Sequence, residues 1–206
     1  MKTTRLSAFI LLLVAALAAP FAAHAVETAS QIIAKCAAKV SAAPSLKLKF
    51  TLQYGDKSSP CDITVAKQKY RLSSPEMEVW YDGNTQWTYA VAQRELSITE
   101  PTADELLECN PFAILNHYAK VYTCRRLSGN GNDIELTAKS SASTVRKAVV
   151  TVDPKTYMPQ KLVVTLSNGR TFSAVVGTVT TGKNLPASYF TYDKAKYPAS
   201  ETVDLR

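Results

Sequence analysis

Between Leu46 and Tyr54 the chain reads LKLKFTLQY, in which Leu46, Leu48, Phe50, Leu52 and Tyr54 alternate strictly with Lys47, Lys49, Thr51 and Gln53. Successive strand side chains point to opposite faces, so this segment makes a strand with one apolar face and one wetted face. A strand of that kind belongs in an antiparallel sheet with a single buried side, and the buried side needs an apolar cover. Similar alternation recurs at Ile63 and Val65, at Tyr70 and Leu72, and at Met77, Val79 and Tyr81. Further strands are expected at 133–138, 145–152, 160–167, 170–179 and 189–192, with a chain reversal at Gly129-Asn130-Gly131-Asn132.

The segment EVWYDGNTQWTYAV, residues 78–91, holds both tryptophans around a turn signal. A three-residue loop Asp82-Gly83-Asn84 pairs Val79 with Trp87 and Met77 with Tyr89. That register gathers Met77, Val79, Tyr81, Trp87, Tyr89 and Val91 on one apolar face, opposite Glu78, Asp82, Gln86 and Thr88. Trp80 then falls on the polar side, a discord this register leaves standing.

Helical spacing appears twice. Ile33, Cys36, Ala37 and Val40 follow a three-four-seven pattern, with Lys35 and Lys39 opposite and Thr28 or Ser30 available as the cap. In mid-chain, Thr102 and Glu105 form a Thr-x-x-Glu capping box, with Asp104 beside it. Pro111 suits the first position of a second short helix, capped by Asn110 and carrying Phe112, Ile114, Leu115 and Tyr118. The fold expected is therefore mainly β (α+β): an incomplete, strongly curved antiparallel β-barrel with one N-terminal helix and a mid-chain helical lid over its apolar face.

At the N-terminus Lys2 and Arg5 precede an apolar run from Ala8 to Ala19, then Pro20 and Ala23-His24-Ala25. This reads as a secretory signal peptide of residues 1–25, too short to span a bilayer, leaving a single domain over 26–206 in a periplasmic, soluble form. Without Lys2 and Arg5 the net charge falls from +7 to +5, spread over scattered lysines that suit a solvated surface, with at most a weak pull toward anionic membranes and no nucleic-acid patch. Cys36, Cys61, Cys109 and Cys124 all remain in an oxidising compartment, where three pairings can form; Cys36 with Cys61 and Cys109 with Cys124 is preferred, since each closes a modest loop. A metal site is not expected, because no Cys-x-x-Cys spacing exists and His117 is the sole histidine after residue 25.

Catalysis needs converging titratable groups, and the sequence offers few. There is no nucleophile elbow, no metal-binding helix and no phosphate-cradling glycine loop. Glu100, Asp104, Glu105 and Glu108 read as the solvated start of a helix, and His117 as a surface or lid residue. No catalytic residue and no cofactor are expected, and the chain is not read as an enzyme.

The segment KYRLSSPEMEVWYDGNTQWTY resembles the LolA-type periplasmic carriers of outer-membrane lipoproteins. Pro75, Asp82-Gly83, Trp87 and Tyr89 match that family's order of proline, strand, Asp-Gly turn and Trp-x-Tyr strand. Pro101 and NPFAILNHY follow in the family's order, and Phe190, Tyr192, Pro198, Val203, Asp204 and Arg206 are similar to its ending; YPASETVDLR is most like the Bacteroidetes versions. The resemblance implies an acyl-binding cavity, for which Leu48, Phe50, Leu52, Met77, Val79, Tyr81, Trp87, Tyr89, Val91, Phe112, Leu115 and Tyr118 are the candidate lining. It also implies a cationic latch holding the lid, for which Lys67 and Arg71 are the nearest residues. The partners implied are an acylated lipoprotein cargo, an inner-membrane lipoprotein-releasing ABC transporter and the outer membrane or a receptor on it, served by a monomer. A carrier of another lipid and a lipid-binding stress sensor are the alternatives.

Overall fold

The structure, a computed structural model, describes residues 26–127 and 132–206, apart from the side chains of residues 103, 104, 108 and 117. The expected signal peptide and most of the reversal expected at 129–132 lie outside the described residues.

Helix α1 (Ala29–Ala42) begins where Thr28 Oγ1 accepts from the Gln31 backbone N–H at 3.2 Å and the Gln31 side chain accepts from the Thr28 N–H at 2.9 Å. That reciprocal cap makes Thr28, and not Ser30, the cap residue. The helix buries Ala29, Ile32, Ile33 and Cys36. Six strands follow: β1 (Ser45–Tyr54), β2 (Lys57–Ala66), β3 (Lys69–Ser73), β4 (Met77–Tyr81), β5 (Gln86–Ala90) and β6 (Glu95–Thr99). The mid-chain lid comprises α2 (Ala103–Cys109), a 3-10 turn (Pro111–Ala113) and α3 (Ile114–Val121). Then come β7 (Tyr122–Arg126), β8 (Asp133–Ala138), β9 (Val145–Val152), β10 (Pro159–Leu166) and β11 (Thr171–Gly182), with a 3-10 turn (Ala187–Phe190) before β12 (Glu201–Asp204).

All twelve strands form one sheet in the order β12-β6-β5-β4-β3-β2-β1-β11-β10-β9-β8-β7, antiparallel except for the parallel pair β12 and β6. Strands β7 and β12 remain edges, so the barrel is open. One apolar core nevertheless draws on β4, β8 and nearly every strand between them together with the helices, which requires the sheet to curl around its cover. A bulge aids that bend where Lys49 pairs with Thr178 but the adjacent Phe50 pairs with Val176, leaving Gly177 as the extra residue. Pro60 sits at mid-strand in β2 without harm, because β3 pairs only with Asp62–Ala66 and leaves that side of β2 unladdered.

Two expectations differ from the structure. The strand expected at 189–192 is replaced by a 3-10 turn at Ala187–Phe190 and irregular chain after it: Phe190 is buried, Tyr192 packs on Trp80, and no described strand pairs there. The second lid helix begins with Pro111 in a 3-10 turn, and Asn110 makes no side-chain cap bond to it.

Candidate functional site

The aromatic hairpin carries the main correction. Its loop has four residues, Asp82 to Thr85: the Asp82 N–H donates to the Thr85 carbonyl at 3.2 Å, and the Asp82 carboxylate accepts from the N–H groups of Asn84 and Thr85, both at 2.9 Å. This Asx turn sets Tyr81 against Gln86, Trp80 against Trp87, Val79 against Thr88 and Met77 against Ala90. One more loop residue than expected slides the register by one and turns all of β5 over. Trp87 and Tyr89 therefore leave the face shared by Val79 and Tyr81 and join Trp80, whose place on the other face ceases to be a discord.

That other face is a second core. Trp80, Tyr89 and Leu96 are buried there, with Trp87, Ile98, Tyr192, Tyr197 and Ala199 packed around them. The cover is the C-terminal segment, which crosses the strands as a strap. Tyr192 and Tyr197 meet Trp80 edge-on at ring separations of 5.6 and 5.1 Å, and Tyr197 meets Tyr89 at 5.7 Å. Arg71, expected as a lid latch, belongs to this strap. Its guanidinium lies 5.4 Å from the Trp80 ring, 5.4 Å from Tyr189 and 5.9 Å from Tyr197, donates to the Tyr197 hydroxyl at 3.1 Å and pairs with buried Glu78 at 3.3 Å. Lys67 is exposed in the β2–β3 turn with a φ of 56°, and the described bonds of Arg71 run to Glu78 and the strap.

The inner face keeps the remaining cavity candidates. Leu48, Phe50, Val79, Tyr81, Phe112 and Leu115 are buried in the main core; Leu52 and Tyr118 are half-buried against it. Met77 and Val91 are exposed at the end of the hairpin, outside the packed interior. The lid lies directly on the sheet. Phe112 packs edge-on against Phe50 at 5.6 Å between ring centres, and Ile114 and Leu115 are buried beside it. Beneath the lid lies a gap of about 10 Å³, bordered by Val40, Leu46, Leu48, Val65, Asn110, Phe112, Ala113, Asn116 and Pro159. That is space for about one water. A larger open groove of about 630 Å³ lies on the sheet's flank, lined in part by Lys49, Thr51, Pro60, Asp62, Ser73 and Val175, where β3 stops and β2 runs on.

Cys36 and Cys61 are buried, and Cys109 and Cys124 are half-buried. Cys109, at the end of α2, lies against the Tyr70 hydroxyl, while Cys124 on β7 is bonded to Ser30 at the start of α1. The sheet order sets β3 and β7 many strands apart. Burial pushes the Cys36 thiol up to about 12 and that of Cys61 to about 11. Of the mid-chain carboxylates, Glu105 accepts from the Thr102 N–H at 2.7 Å and Glu100 accepts from Asn84 at 3.2 Å, while the side chains of Asp104 and Glu108 lie outside the described residues. Among the described residues no group of three or more His, Cys, Asp or Glu is placed to hold a metal.

An open antiparallel sheet curled around an apolar helical cover has a counterpart among known families. The family model described as outer membrane lipoprotein carrier protein LolA matches residues 18–170. The chain belongs to the LolA family. No protein of curated function matches it. Among solved structures, this LolA-family chain is similar to an uncharacterized conserved protein from Thermus thermophilus, at 11% identity and a TM-score of 0.56, covering 85% of this chain and 98% of that one. It is also similar to a LolA superfamily protein from Nitrosomonas europaea, at 13% identity and a TM-score of 0.47, over 82% and 99% of the two chains. A third likeness is to MucB of the Pseudomonas aeruginosa MucA/MucB complex, at 16% identity and a TM-score of 0.48, where this chain spans 62% of the other. The strap, residues 187–206, lies beyond the part of this LolA-family chain that the family model matches.

Sequence reasoning missed the strap's role. The signal that could have found it is Trp80 itself: a tryptophan on the supposedly polar face, together with the aromatic spacing of Tyr189, Phe190, Tyr192 and Tyr197 near the C-terminus.

Proposed function

We propose that the protein is a periplasmic carrier that takes the acyl chains of lipoproteins beneath its lid and conveys them from the inner to the outer membrane, without catalysing a reaction. The observation that carries this reading is the lid: an apolar helical cover, Phe112, Ile114 and Leu115, seated on an equally apolar sheet face and held there by packing. An acyl chain presents the same kind of surface as the lid and can replace it. Leaving a sixteen-carbon chain in water costs on the order of 10 kcal/mol, so a cargo with several chains needs such a shelter to cross an aqueous space. With a gap of about 10 Å³, loading requires the lid to lift or slide from Phe50 and its neighbours. Release to a receptor or to the outer membrane reverses the step, and an inner-membrane ABC transporter is the fitting donor.

The test is native mass spectrometry of the protein purified from its own envelope, followed by equilibrium binding of a fluorescent triacylated lipopeptide. Co-purifying acylated polypeptide and saturable lipopeptide binding are the expected results. A protein that emerges empty and ignores the lipopeptide would sink the reading; free glycolipid or phospholipid alone would move it to a carrier of those lipids.

A further inference from the structure

Asn110 joins α2 to the 3-10 turn that bears Phe112, at the centre of the lid. It is 5% exposed, and its carboxamide oxygen Oδ1 is the one buried side-chain polar atom among the described residues with no hydrogen-bond partner. The backbone at this point is fully used: the Asn110 N–H donates to the Leu106 carbonyl at 2.8 Å, and its carbonyl accepts from the Ala113 N–H at 2.9 Å. The side chain caps nothing. It borders the gap under the lid, whose other inner walls include Leu46, Leu48, Val65 and Phe112. A buried acceptor left unmet destabilises the fold, and an apolar residue of the same size would remove that penalty.

An acceptor inside an apolar chamber asks for a donor from whatever enters. Methylene chains have none, and ester-linked acyl chains bring only carbonyl acceptors. A chain joined through an amide brings an N–H at the point where it leaves its head. We propose that Asn110 is a specificity-determining residue of the acyl site, its Oδ1 accepting a hydrogen bond from the amide N–H of an N-acylated ligand. The inference rests on the carrier reading and narrows its cargo. The same amide chemistry occurs at the N-acylated amino terminus of a lipoprotein and in free N-acylated lipids.

Four probes separate the cases: a tripalmitoylated cysteinyl lipopeptide, the same lipopeptide with its N-linked chain attached through an ester, an N-palmitoylated amino-acid lipid, and its O-acyl counterpart. The protein should prefer the amide over the ester member by about two- to tenfold, the yield of one neutral hydrogen bond. Asn110→Leu should erase that preference, bind the ester probes at least as well as before, and raise Tm in the absence of ligand. Should the leucine variant fail to fold, Asn110→Ala reads the same ratio. A preference in both pairs supports the inference with the amide alone as determinant, and one confined to the lipopeptides supports it with the lipoprotein terminus as source. Equal binding of amide and ester probes by the unaltered protein, or an equal loss of both in the variants, would overturn it, the latter assigning Asn110 to lid shape or a trapped water. Those two results leave the carrier reading intact, whereas failure of every acylated probe would remove both.

Discussion

Arg71 illustrates how a residue's role follows from the face it occupies. Cross-strand pairing with Trp80 puts it on the outer side of β3, where Trp80, Tyr189 and Tyr197 surround its guanidinium and Glu78 neutralises it. Removing one member of a largely buried ion pair leaves its partner uncompensated, so Arg71→Met should lower the unfolding free energy by roughly 3 kcal/mol in urea. Lipopeptide affinity should stay within twofold; a large loss of affinity at unchanged stability would restore the latch role. Glu135 offers a pH reading. Arg125 at 2.7 Å and Lys147 at 3.0 Å hold its carboxyl below the ordinary 4.5. A depressed folded-state value means that its stabilisation is present above about pH 4.5 and is lost as pH falls through that lower value. Glu135→Gln should therefore be less stable than the unaltered protein at pH 7 and converge with it in acid. Parallel pH profiles of Tm for the two would contradict this.

Among the elements, the lid and the strap are covers of opposite kinds. The lid meets the inner face through apolar contact where Phe112 packs on Phe50. Truncating a buried phenylalanine removes about 3–5 kcal/mol of packing, so Phe112→Ala should loosen the lid, quicken lipopeptide uptake in stopped-flow measurements and lower Tm. Unchanged uptake would mean that lid displacement does not limit loading. The strap is fixed by rings, a guanidinium and the parallel ladder of β12 on β6. Deleting residues 187–206 should bare Trp80, Trp87 and Tyr89, with red-shifted tryptophan emission and association between molecules. A truncated protein that stays monodisperse with unshifted emission would show the strap to be dispensable.

At the level of the whole molecule, the curled sheet separates two apolar compartments. The proposed carrier role assigns exchange to the inner one, while the strap closes the outer one. Both tryptophans lie in the outer compartment, so lipopeptide loading should leave intrinsic tryptophan emission nearly unchanged. A strong shift would place cargo against the strap side. Cys36 and Cys61, with raised thiol pKa values of about 12 and 11, should resist alkylation in the folded protein and react only on unfolding.

The sequence by itself determined the wetting of β1 and the first turns of α1 and α2. Leu46 to Tyr54 could be read because a period of two leaves one face apolar whatever the neighbours are, and Thr102 could be read as a cap because a capping box closes within four residues, while Thr28 and Ser30 stayed equal candidates until the structure chose Thr28. Those local signals carried the open antiparallel architecture, the helical lid and most of the inner lining. The pairing of β4 with β5 was not local in that sense. It hung on one loop residue, Thr85, whose N–H completes the Asx turn and so reverses Trp87 and Tyr89. The strap's partner, the place of Arg71 and the unmet oxygen of Asn110 depend on segments far apart in the chain meeting in space. Only the tertiary structure decided those, because side-chain packing across long sequence separations leaves no period to read.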